Sequence, residues 1–145
     1  NAQAPSGRET VTIKGERFYL EPALDFASRQ HGLSDRQSIE PSGGMIFVFP
    51  SPQVQNFWMI DCLTDIDIAY LSETGRVMTL HEMKAEAPKK PGESDLAYQN
   101  RLPRYSSEYP SRYVIEVAPG TWKRLDVRPG DVISFDMEGL KARAR

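Results

Sequence analysis

The apolar positions of this chain fall in short runs, each closed by glycine, proline or a charged residue. Val11-Thr12-Ile13 and Phe18-Tyr19-Leu20 flank Lys14-Gly15, the pattern of a hairpin. Residues 24–31 carry Leu24, Ala27 and His31 at helical spacing, and Gly32 follows where a left-handed stop would end two helical turns. Residues 45–49 (Met-Ile-Phe-Val-Phe) are a continuous apolar run closed by Pro50, which predicts a strand buried on both faces. Phe57-Trp58-Met59-Ile60 predicts another. Ile66, Ile68 and Tyr70 alternate with Asp65, Asp67 and Ala69, the period of a half-exposed strand. Glu73-Thr74-Gly75 predicts a turn, with residues 76–80 as the partner strand. Residues 113–117 and 131–135 complete about eight short strands without an internal repeat. The expected fold is α+β and mainly β: a compact antiparallel barrel- or sandwich-like domain with one or two short helices.

Residues 86–111 break the rhythm with Pro88, Pro91, Pro103 and Pro110 and with Tyr98, Tyr105 and Tyr109. Within this excursion, Ser94 before Asp95 and Leu96 predicts the N-cap of a short helix ending near Arg101. The tyrosines are read as docking it onto the rest of the domain. Residues 11–136 are expected to form one globular unit. Residues 1–10 read as a mobile tail and residues 137–145 as a basic, solvated one. Asn1 is not Met, and Ala2-Gln3-Ala4 has the small-x-small look of a signal-peptide cleavage site; an expression scar explains Asn1 and Ala2 equally well.

Composition then narrows the function. Eighteen Lys and Arg against 20 Asp and Glu give a net charge of −2 over 145 residues. That argues against a general nucleic-acid binder, which needs a dense basic face. No apolar run approaches the roughly 20 residues of a membrane helix. Cys62 is the single cysteine, which rules out an intrachain disulfide and a Cys₄ zinc site. Eleven prolines favour many short elements.

The familiar catalytic motifs are absent, and no motif requires a cofactor. His81-Glu82 opens like a zinc-protease helix, but Ala85 stands where the second His belongs. A nucleophilic pair would need Cys62 with His31 or His81, and Cys62 lies in an apolar-rich stretch where thiols are usually buried and inert. The distinctive signal is acidic: Asp61, Asp65, Asp67 and Glu73 occur with no Lys or Arg between them. On an unbroken strand Asp61, Asp65 and Asp67 share a face and repel one another unless water, a cation or an arginine compensates. A solvated face, or pairing with Arg36, Arg76 or Arg112, is one reading; a divalent-cation or general acid–base site is another, and recognition of a basic or polyhydroxylated ligand a third. Beside them, alternation puts Trp58 opposite Phe57 and Met59. If those two are core, Trp58 faces a groove next to the carboxylates, as in many sites for small polar ligands. Trp58, Asp61, Asp65, Asp67 and Arg36 are therefore the candidate ligand-binding residues.

Several ordered motifs resemble one prokaryotic family. Arg29-Gln30-His31-Gly32-Leu33 with Arg36 and Ser38-Ile39 resembles Arg-x-x-Gly-Leu-Met-x-Arg-x-Ser-Leu. Residues 44–49 resemble Gly-Met-Leu-Phe-x-Phe. Phe57-Trp58-Met59, followed by Leu63, Ile66, Asp67, Ile68, Ala69 and Tyr70, resembles Phe-Trp-Met-x-Asn-Thr-Leu-x-Pro-Leu-Asp-x-x-Phe. Gly75-Arg76-Val77, residues 113–117, Gly120 and Gly130-Asp131 match its later segments. The family is domain of unknown function 192. Here Ser34 replaces its Met, Asp61 and Cys62 its Asn-Thr pair, Asp65 its Pro and Asp126 a common Gly, and the 86–111 excursion is longer. The resemblance implies a compact, largely β protein, often exported or lipid-anchored. It brings no established activity. A pocket shared by the family would be lined at the Asn-Thr positions, here Asp61 and Cys62.

The resulting expectation is an extracytoplasmic binding or accessory module for a small polar or carbohydrate ligand, with no nucleic-acid partner and no transmembrane segment. The rival is a hydrolase acting on envelope carbohydrate through two carboxylates. Convergence of Asp61 and Asp67 in a cleft distinguishes the two.

Overall fold

A computed structural model describes residues 4–145. The chain order is β1 (Glu9–Ile13), β2 (Glu16–Ala23), α1 (Phe26–His31), β3 (Met45–Phe57), β4 (Ile66–Leu71), β5 (Val77–Met83), α2 (Asp95–Arg101), β6 (Tyr105–Val117), α3 (Thr121–Leu125) and α4 (Met137–Arg143). The strands form a six-stranded sheet in the order β1-β2-β3-β6-β4-β5.

Local chemistry accounts for most of these elements. Lys14 and Gly15 both take positive φ, which suits the tight turn of the β1–β2 hairpin. Asp25 caps α1 reciprocally with Ser28, and the backbone reverses at Gly32. The Ser94 hydroxyl accepts from the Ala97 N–H at 3.0 Å and starts α2 as expected. Gly75 sits at φ +81 in the β4–β5 turn, with Ile133 O only 2.7 Å from where a Cβ would be. The sheet separates two cores. Ile46, Ala69, Ile115 and Val117 face one side with Phe18, Trp122 and Leu140. Met45, Phe47, Ile68, Tyr70 and Val114 face the other with Leu33 and Met59.

The structure corrects the expected architecture in several places. The sheet is mixed rather than antiparallel, because β2 and β3 run parallel, joined by the crossover that carries α1. It is not closed into a barrel, and the strands number six among the described residues. Residues 131–135 form no strand; they touch the edges through two isolated bridges, Thr12 with Ser134 and Arg76 with Val132. Pro50 does not end β3. The register with β6 shifts between Val48 and Gln53, so Pro50 and Pro52 lie where the ladder is already interrupted and their missing N–H groups leave no gap. Phe57 closes β3, and Trp58 and Met59 lie beyond it in a loop. β4 is buried along its whole length rather than half-exposed, because it runs between β6 and β5 with core on both faces. Of the residues read as an excursion, 105–111 belong to β6.

At the chain ends, β1 begins inside the segment read as a tail, and α4 occupies most of the segment read as a basic tail. Leu140 of α4 is fully buried, while Lys141 and Arg143 stay at the surface. The cleavage-site reading of Ala2-Gln3-Ala4 falls, but for Ala4, outside the described residues. No helix among the described residues is long and apolar enough to cross a membrane.

Candidate ligand-binding site

Strand register decides which side chains can meet. Glu21, Met45, Glu116, Ile68 and His81 form one row across β2, β3, β6, β4 and β5. Ala23, Phe47, Val114, Tyr70 and Thr79 form the next. Glu116 thus lies between Met45 and Ile68, on the face that carries the smaller core, and is only 5% exposed. A carboxyl in that position has left water for apolar neighbours, which disfavours its ionised form. Burial alone pushes its pKa up from 4.5 to about 8. No hydrogen bond or ion pair reaches the carboxyl among the described residues.

Over this part of the sheet lies a cavity of about 430 Å³. Its most buried polar lining residues are Glu116 and Ser34, with the half-buried Cys62 also in the lining. Phe47, Phe49, Phe57 and Trp58 supply an aromatic wall, and Gln53, Gln55 and Asn56 of β3 a polar one. Phe26, Arg29 and His31 of α1 complete the rim, Phe26 with 74% of its surface exposed. The aromatic wall is held from behind: Phe57 packs edge-on against Phe47 and Tyr70 at centroid distances of 5.0 and 5.7 Å. The Tyr70 hydroxyl accepts from the Phe57 N–H at 3.3 Å and donates to Tyr105 O at 2.6 Å.

The cations at this site are already engaged. Arg29 donates to Val48 O at 3.0 Å and Arg145 O at 2.9 Å, and its guanidinium lies 5.2 Å from the Phe49 ring centre. Arg104 stacks on Trp58 at 4.1 Å. Burial, with the carboxyl of Glu116 as the next cause, pushes the Cys62 thiol up to about 12, so it is a poor nucleophile at neutral pH.

The structure separates the residues singled out in the sequence. Trp58 lines the cavity. Asp61 is exposed at positive φ; its N–H donates to the Tyr98 hydroxyl at 2.8 Å, which donates back to Oδ1 at 3.3 Å, so a tyrosine of the excursion docks α2 here. Asp65 accepts from the Ala85 N–H and pairs with Lys84 at 3.6 Å. Asp67 is 1% exposed and points to the opposite face of the sheet, where it accepts from the Trp122 N–H at 2.9 Å. Arg36 forms a two-pronged ion pair with Glu21 away from the cavity lining. Asp61, Asp65 and Asp67 therefore share no face, and Asp61 does not converge with Asp67. Among the described residues no group of three or more His, Cys, Asp or Glu side chains is placed to hold a metal ion. Asp67 does structural work instead: Asp67→Ala should lower stability in urea melts by about 1–3 kcal/mol by orphaning a buried N–H, and Asp67→Asn, which keeps an acceptor, should lose less.

Glu116, Ser34 and Arg29 were missed as site residues. The available signal was Glu116 itself, a lone carboxylate inside Tyr-Val-Ile-Glu-Val.

Comparison with known proteins agrees with this architecture. A Sinorhizobium meliloti 1021 protein, whose name proposes a role in transcription regulation, has a similar structure, with a TM-score of 0.72 and 28% identity over 92% of this chain and 98% of its own. A protein of unknown function from Novosphingobium aromaticivorans DSM 12444 is similar at a TM-score of 0.65 and 26% identity, covering 88% of this chain and 83% of its own. A UPF0127 protein of Thermococcus gammatolerans is 29% identical over 128 residues, which is 87% of this chain and 72% of that protein. The family model for DUF192, described as an uncharacterized ACR, matches residues 9–135, which include the strands, Glu116 and the cavity wall, and the chain belongs to that family.

Proposed function

We propose that the protein is a binding module that takes a small polar ligand into the Glu116 cavity. The observation that carries this reading is the carboxyl of Glu116, a residue only 5% exposed, which has no protein partner among the described residues and lines an open, aromatic-walled space. Buried polar groups are almost always satisfied by the protein or by what it binds, and exceptions concentrate at functional sites. The rival reading, a hydrolase with two carboxylates, finds less support, since Asp61 and Asp67 lie apart and, among the described residues, Glu116 is the one carboxylate lining the cavity. An extracytoplasmic setting is part of the same proposal. It is supported by the family resemblance and by the half-buried, weakly acidic Cys62, a thiol suited to an oxidising compartment.

Trp58 reports on occupancy. In a screen of small amines, sugars and carboxylic acids, a ligand should raise the melting temperature and change the tryptophan emission. Trp58→Phe should abolish the emission change while the melting shift survives, because the remaining Trp122 is buried on the other side of the sheet. Trp58→Ala should lose no more than about 1–2 kcal/mol of stability, as its ring is only partly buried. A screen in which no class shifts either signal would refute the binding assignment.

A further inference from the structure

We infer that the ligand is a small organic amine, bound as its ammonium ion with the charged end against Glu116 and its body along Phe57 and Trp58. This rests on the binding reading above and names the chemistry that the cavity selects. The argument is one of missing charge. Each cation near the cavity has another engagement: Arg29 with two carbonyls and Phe49, Arg104 with Trp58 and the Gln99 and Leu102 carbonyls, Arg36 with Glu21. None has an ion pair with Glu116 among the described residues.

None of the other groups facing Glu116 is ion-paired or hydrogen-bonded to its carboxyl among the described residues. From β4 comes the Tyr70 phenol, which burial keeps protonated. From the loop after β3 comes the Cys62 thiol, also neutral, with the carboxylates of Asp61 and Asp35 acting on it. Glu21 of β2 and His81 of β5 stand in the same cross-sheet row; Glu21 is matched by Arg36, and His81 Nε2 lies 2.7 Å from Ser106 O. β3 presents Met45, Phe47, Phe49 and Phe57 here, with the uncharged amides of Gln53, Gln55 and Asn56 on the cavity wall. Arg29 and His31 of α1 stand on the rim of the cavity. The cavity lining therefore holds an acid without a partner among largely apolar side chains, where a charge-assisted hydrogen bond is strong.

The remaining surroundings fit an ammonium ion. Phe49 and Trp58 already lie against guanidinium groups, so the wall accepts cations on aromatic faces. A ligand carboxylate would meet the repulsion of Glu116 once that group ionises. A metal ion would find too few ligating side chains. At about 430 Å³ the cavity falls at the small end of ligand sites.

Calorimetric titration of wild type and Glu116→Gln with n-hexylamine, n-hexanol and hexanoate between pH 6 and 9 tests the inference. Because the ammonium ion needs the ionised carboxyl, hexylamine affinity should rise about tenfold per pH unit below pH 8 and level off above it, with a proton released on binding at pH 7. Glu116→Gln should bind it at least about tenfold more weakly and without the pH slope, and a melting curve establishes that the variant is folded. Equal affinity for hexanol and hexylamine, or hexylamine binding unchanged in a folded Glu116→Gln, overturns the amine inference and leaves the binding reading standing. No binding of any of the three at millimolar concentration overturns both.

Discussion

Gly44→Ala is expected to unfold the protein or to remove on the order of 4 kcal/mol of its stability, among the largest effects a single methyl can have. Gly44 sits at φ +132, and a Cβ there would lie 2.1 Å from Glu116 O and 3.2 Å from Val117 Cα. The backbone conformation is one that L side chains rarely adopt, and the obstacle is the backbone of a central strand, which cannot rotate aside. To admit the methyl group, β3 and β6 must part where Met45 pairs with Glu116. The neighbouring Gly43→Ala is the control. There the nearest atom is Glu40 Cβ at 3.2 Å, on an exposed side chain, and the loss should stay below about 1 kcal/mol. Urea melts followed by circular dichroism give both values. Equal stabilities of the two variants would mean that the approach of Gly44 to β6 does not constrain the fold.

The second large effect concerns the pH dependence of stability. Burial raises the Glu116 carboxyl in the folded protein to about 8 from the ordinary glutamate value of 4.5. A carboxyl with a raised folded-state pKa binds its proton more tightly in the folded state. Its contribution is therefore complete below about pH 4.5 and is lost as pH rises through about 8. By linkage the loss approaches roughly 4 kcal/mol between pH 4.5 and 9, most of it present by pH 7. Other groups oppose it: Glu21, lowered by its hydrogen bonds to Arg36, and Asp131, lowered by the Arg128 N–H, favour the folded state above their unfolded pKa values. The wild-type curve mixes these terms, and the difference between wild type and Glu116→Gln isolates one. Urea melts from pH 5 to 9 should show the variant gaining on wild type by several kcal/mol, whatever constant offset its buried amide introduces. Parallel curves would mean that Glu116 ionises freely in the folded protein and that the cavity is wetter than its lining suggests.

How much of this was legible beforehand follows from the range of each signal. The β1–β2 and β4–β5 hairpins and the Ser94 cap were readable because turn and cap chemistry is settled within four residues. The apolar run 45–49 and residues 113–117 were readable as strands because they are short, rich in β-branched and aromatic residues and, in the first case, closed by a proline. The ordered motifs also pointed to the family, since they are a property of the chain itself. The mixed sheet, by contrast, depends on β2 meeting β3 across a crossover, a contact between segments about 20 residues apart that no local pattern encodes.

The site depended on tertiary structure still more strongly. Alternation suggested that Asp61, Asp65 and Asp67 share a face, but β4 starts only at Ile66, so the two earlier residues lie outside the strand. Burial of β4 on both sides then turned Asp67 from a surface acid into the partner of the Trp122 N–H. Trp58 could be named from the sequence, yet its place on the cavity wall comes from the loop beyond β3 rather than from strand alternation. Glu116 looked like one polar residue in an apolar strand. Its significance arises because parity and register put it between Met45 and Ile68 beneath a space that other elements leave open. Sequence determines where a chain turns and which runs must leave water, because those are short-range properties of the residues. Which buried group is left without a partner is decided only when distant segments have packed, because solvation and charge compensation depend on every neighbour at once.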